Sequence, residues 1–237
     1  EIKTHLGSLG ISGEYAYPTA AQSTEELVDL ALSKKYTTIV AIGDEDIANT
    51  IAGRLLGRKE ALGIIPLEST SSLSELIGAA GWKEACESLR FRKISEINLG
   101  QTASGVYFLT SVQLDITSPA EITLEFKDFL VQAKLKKLTI ANFSPGVRKI
   151  GSDYLDVLMT SIAPKENAVL STFASILGLK TTSKENQLSL LRGRSLRIFA
   201  KSPMQILSNG RLIAKTPQLL ESTDEKIRLI TAKSATK

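Results

Sequence analysis

Thr37–Ile42 reads Thr-Thr-Ile-Val-Ala-Ile, a short apolar and β-branched run closed by Gly43. A strand with this composition hides both faces, which places it in a parallel sheet covered by helices. Its neighbours fit that frame. Ile47, Ile51 and Leu55 recur at i, i+4 and i+8 and give one apolar helix face. Leu62–Leu67 (Leu-Gly-Ile-Ile-Pro-Leu) is a second buried strand, and Trp82–Leu89 another helix. Upstream, Ile2–Leu9 reads as a helix tail and Glu14–Tyr17 as a short strand broken by Pro18. Ser23 with Glu26 is a capping box that opens a helix through Lys34. Strands alternating with helices predict an α/β N-terminal domain with a parallel, Rossmann-like sheet.

The period changes after residue 92. Ile122, Leu124 and Phe126 alternate with polar residues, as do Leu196 with Ile198 and Ile227 with Leu229. A period of two predicts a mainly antiparallel β domain with one wet face. A single helix, Glu166–Leu177, interrupts it and stops at Gly178. The expected division is therefore 1–92 and 93–237.

Cys86 is the only cysteine and His5 the only histidine. An intrachain disulfide, the usual zinc spacings and a Ser-His-Asp or Cys-His centre are thereby excluded. Cys86 and Trp82 read as helix core. No run approaches the roughly 18 apolar residues of a membrane span. The start, Glu-Ile-Lys-Thr-His, resembles neither an initiation site nor a signal peptide, so the expectation is a start inside a longer protein. A cytoplasmic setting, peripheral at the membrane, is expected. From Gly178 to Lys237 there are 12 Lys and Arg against 4 Asp and Glu, a net +8, and the preceding residues carry −4. Such a region suits an anionic membrane surface, or is simply a solvated basic face. With no interleaved aromatics, no nucleic-acid partner is expected.

The order strand, tight turn, helix, strand and Pro-containing loop resembles diacylglycerol-kinase-type lipid kinases, the relatives of sphingosine and ceramide kinases. That family carries a GGDGT loop after a buried strand and a P-L-G-T-G-N-D loop some twenty residues on. Here the first stretch is Ile42-Gly43-Asp44-Glu45-Asp46, and the second Pro66-Leu67-Glu68-Ser69-Thr70-Ser71-Ser72. Leu138-Thr139-Ile140-Ala141-Asn142 is similar to the family's strand ending in Asn. Asp153-Tyr154-Leu155-Asp156-Val157 is similar to its D-G-x-L-D-V segment. Asn209-Gly210-Arg211, followed by Thr216-Pro217, stands where the family has D-G-E and a trailing T-P. The resemblance runs over nearly the whole chain and lacks the family's first strand, which would precede residue 1. NAD kinases share the GGDG loop and the β-rich second half. Their T-G-S-T-A-Y segment has no counterpart here.

The resemblance implies ATP and Mg²⁺ as cofactors. It assigns the nucleotide to Gly43, Asp44, Asp46, Ser69 and Thr70, and a structural metal to Asp153 and Asp156. It puts the catalytic base at the positions held by Asn209 and Arg211. Neither of those side chains takes a proton from an alcohol near neutral pH. Asn-Gly is also a type I′ hairpin signal in its own right. At the first loop, Glu45 replaces a glycine and Asp46 a threonine, so three consecutive carboxylates meet an approaching phosphate. Two like charges about 4 Å apart repel by roughly 4 kcal/mol at an effective dielectric near 20. Two readings stand for these acids: Asp46 as an N-cap within a self-satisfied helix start, or Asp44 and Asp46 facing a metal–nucleotide complex. Ser69 and Thr70 read either as phosphate contacts or as cap and turn residues. At the second pair, only Asp156 aligns well, because Gly151-Ser152 replaces the upstream acids.

Together these features lead to a divergent lipid-kinase-type protein, inactive or weakened, that works by binding or regulation at an anionic membrane, a lipid or a protein partner. The alternative is an active ATP-dependent kinase phosphorylating a diacylglycerol- or sphingosine-like hydroxyl, with Asp44 as base or metal ligand.

Overall fold

A computed structural model of the chain describes residues 1–69, 71–143, 153–162 and 186–232. The described residues form two compact units. One holds Glu1–Leu99 with Asp153 and the stretch that starts at Thr223; the other lies within Gly100–Ser144 and Tyr154–Ser222. The chain is therefore not cut once near residue 92, because its C-terminal part returns to the first unit.

In the first unit, α1 (Ile2–Ser8) and α2 (Thr24–Ser33) precede β1 (Thr38–Gly43), α3 (Glu45–Leu55) and β2 (Ala61–Pro66). Helices α4 (Ser72–Ile77) and α5 (Trp82–Phe91) then lead into β3 (Lys93–Thr102). The predicted capping box starts α2: the Glu26 amide donates to Ser23 Oγ at 3.3 Å, and the Ser23 amide to Glu26 Oε2 at 2.8 Å. Strands β1 and β2 are parallel and in register from Thr38↔Ala61 to Gly43↔Pro66. Every residue of β2 is buried. At Gly63 an added Cβ would run into Leu89, so the glycine lets α5 sit close on the sheet. Cys86 is buried on α5, and burial pushes its thiol pKa up, which fits the expected core role. Trp82 meets the His5 ring edge-on at 5.5 Å between centroids.

Glu14–Tyr17 is not a strand. Its alternation supplies side chains for two faces, but no neighbouring strand pairs with it among the described residues. Instead Glu14 accepts from Lys34 Nζ at 2.6 Å, and that bond holds the Glu14 carboxyl below the usual carboxylate range.

The second unit is antiparallel. Its strands are β4 (Tyr107–Phe108), β5 (Ser111–Leu114), β6 (Ala120–Phe126), β7 (Leu130–Ala141), β8 (Leu155–Ile162) and β9 (Asn186–Gly193). They are followed by β10 (Ser195–Ala200), β11 (Gln205–Ser208), β12 (Arg211–Lys215) and the long β13 (Gln218–Thr231). The order β13-β10-β6-β7-β5-β11-β12 is continuous, with β8 also on β7 and β9 on β8. Alternation decides which side is dry: Ile122, Leu124, Leu138, Ile140, Val157, Leu196 and Ile198 all point into one core. Beyond Thr223, β13 runs parallel to β2 in the first unit, with Arg228↔Ala61 and Leu229↔Leu62. No described helix is long and apolar enough to cross a membrane. The predicted Glu166–Leu177 helix lies outside the described residues.

Candidate functional site

In a parallel sheet, ligands gather beyond the carboxyl ends of the strands, where backbone amides of the following helices point outward. The Gly43↔Pro66 pairing brings two such strand ends side by side, so the loops leaving β1 and β2 are neighbours. Gly43 has φ +148, and an added Cβ would lie 3.0 Å from Ile47 Cδ1. The turn into α3 therefore requires glycine.

Asp44 caps α3: it keeps an extended backbone, φ −92 and ψ −177, and its Oδ1 accepts from the Ile47 amide at 3.2 Å. This corrects the expectation for Asp46, which lies already within the first helical turn, where its side chain cannot cap. The strand persists through Gly43, one residue further than the apolar run implies, and so fixes the cap at Asp44.

Glu45 turns inward and is only 6% exposed. Its Oε2 accepts from the Ser72 hydroxyl at 3.2 Å, tying the start of α3 to the loop after β2. In that loop Ser71 caps α4 by accepting from the Ser74 amide at 3.2 Å, and the Ser74 hydroxyl donates to the Glu68 carbonyl at 3.1 Å. Ser69 is exposed beside this turn. Thr70 lies outside the described residues. The structure thus brings Gly43, Asp44, Asp46 and Ser69 to one end of the first unit's sheet and adds Glu45 and Ser72.

Of the two expected metal ligands, Asp153 lies 3.6 Å from Lys226 Nζ in the first unit. Asp156, in the second unit, is fully buried and accepts from Arg192 Nε at 2.8 Å. A cation already sits beside each carboxylate and offsets the charge that would attract Mg²⁺. Among the described residues, no three His, Cys, Asp or Glu gather as a metal ion would require.

Asn209 and Gly210 form the turn between β11 and β12, with φ +47 and +80 and Ser208 paired to Arg211. Two consecutive positive φ values across a two-residue connection define the type I′ hairpin that the sequence predicts. Both turn residues and Arg211 are exposed. The hairpin's three residues bring no carboxylate.

No protein-family model matches the chain, and no curated protein matches it in sequence. Solved structures do match it. A diacylglycerol kinase from Bacillus anthracis str. Sterne superposes with a TM-score of 0.71 at 14% identity, covering 98% of this chain and 89% of that one. An NAD kinase from Archaeoglobus fulgidus, solved in complex with ATP, gives a TM-score of 0.59 at 13% identity, covering 99% and 89%. The protein has the mixed α/β fold of these diacylglycerol kinase and NAD kinase structures.

Proposed function

We propose that this chain is a diacylglycerol-kinase-type scaffold that has given up phosphoryl transfer and acts by binding, at an anionic lipid surface. The observation that carries this reading is the state of the crevice beyond β1 and β2. Asp44 already takes an α3 amide, and the Glu45 carboxylate already occupies the gap between the two loops. An entering nucleotide would meet these fixed negative charges, with the helix dipole already complemented from within. The substitution of Asn209 and Arg211 for the family's acids supports the same reading, because a lipid hydroxyl needs a base to become a nucleophile.

If ATP and Mg²⁺ bind nonetheless, the Gly43 turn, Asp44, Asp46 and Ser69 are the groups that would hold them. Asp44 would then be the acid nearest the metal or the substrate hydroxyl. The two readings separate in a phosphotransfer assay. Radiolabelled ATP is offered with diacylglycerol and with sphingosine in mixed micelles, under Mg²⁺ and under Mn²⁺. The scaffold reading predicts no labelled lipid in any arm. Transfer that disappears in Asp44→Asn would replace it with an active kinase.

A further inference from the structure

The face of β7, β8 and β9 turned away from the core joins leucines to cations in a way the fold does not need. Leu158 on β8 pairs directly with Leu190 on β9, and Leu188, one pleat along, is 57% exposed. Thr160 lies between Leu188 and Lys137 in the same row. The register of β7 against β8 shifts between Leu135 and Lys137, so Lys136 and Lys137 are both exposed, beside the exposed Lys134. A regular strand would have turned one of the two inward. Arg192 stands at the far end of β9 on the same face, paired with Asp156. Strands β7 and β9 contain no Asp or Glu, and Asp156 is the single acid of β8. Glu121 on β6 faces Lys134 but is paired with Lys201 at 2.5 Å, which lowers its carboxyl pKa.

We propose that this face docks on the surface of an anionic phospholipid bilayer, with Leu158, Leu188 and Leu190 against the acyl boundary and Lys134, Lys136 and Lys137 among the headgroups. The charge of the face has one sign along β7, and leucines of β8 and β9 lie beside it. Distributed anionic charge over an apolar layer matches both properties. Lysine stems can lie along the apolar surface while their ammonium groups reach the phosphates. The proposal rests on the binding role argued above and names its surface.

The test is co-sedimentation of the full chain with vesicles of phosphatidylcholine alone and of phosphatidylcholine with phosphatidylglycerol, at low and high salt. The wild type should bind only the anionic vesicles and be released by salt. Lys134→Glu with Lys137→Glu should weaken binding about thirtyfold. Leu188→Ser, at an exposed position that leaves the core intact, should weaken it about fivefold. Binding equal on neutral vesicles overturns the proposal. Wild-type binding that survives all these substitutions assigns the membrane contact to another face and leaves the binding role standing. Binding to soluble poly-glutamate with none to vesicles overturns it in favour of an acidic protein partner, and no binding to any of these removes the membrane role itself.

Discussion

A carboxylate in the first turn of a helix ordinarily faces water, where it complements the dipole at little cost. Glu45 is instead buried and receives the Ser72 hydroxyl. Its neighbour Asp44 spends its own carboxylate on the Ile47 amide. Together they set two carboxylates at the start of α3, one on the Ile47 amide and one bonded to the facing loop. Removing the inward one should therefore open the helix start. Glu45→Gly is predicted to give measurable binding of inorganic phosphate in an amide NMR titration, with shifts at residues 44–47, where the wild type shows none. A variant that folds and shows no such shifts would mean that Glu45 does not occupy an anion's place.

At the scale of elements, the Asn209-Gly210 turn shows how local chemistry alone can write a structure. Both residues sit at positive φ, a conformation that costs an ordinary side chain about 1 kcal/mol. Asn209→Ala should lower stability by about that much in urea unfolding while leaving any nucleotide response unchanged. A change in the nucleotide response would show that Asn209 has a role beyond the hairpin. The same locality explains which features could be read before the fold was known. The Ser23–Glu26 box, β1, β2 and the alternation of β6 and β10 depend on residues within one turn or one strand. The Glu45–Ser72 bond does not: the residues are 27 apart and meet only through the register of β1 on β2. Choosing Asp44 over Asp46 as cap required knowing where β1 ends. Glu14–Tyr17 shows the opposite failure, since alternation describes a strand's faces but cannot supply the edge it must pair with.

Across the whole molecule, β13 carries the longest connection between sequence and fold. Its first residues pair with β10, and its last lie parallel to β2, 167 positions earlier in the chain. Periodicity announced a strand there but not its return to the first unit, because a parallel partner leaves no mark in local spacing. The likeness to the diacylglycerol kinase and NAD kinase structures is likewise one of architecture, and the functional question rests on the loops that leave β1 and β2. Calorimetric titration of the chain with ATP and ADP, with and without Mg²⁺, tests most directly whether those loops still take a nucleotide. The account predicts no heat of binding at millimolar nucleotide in any condition. Saturable binding in the micromolar range, dependent on Mg²⁺ and lost in Asp44→Asn, would contradict it.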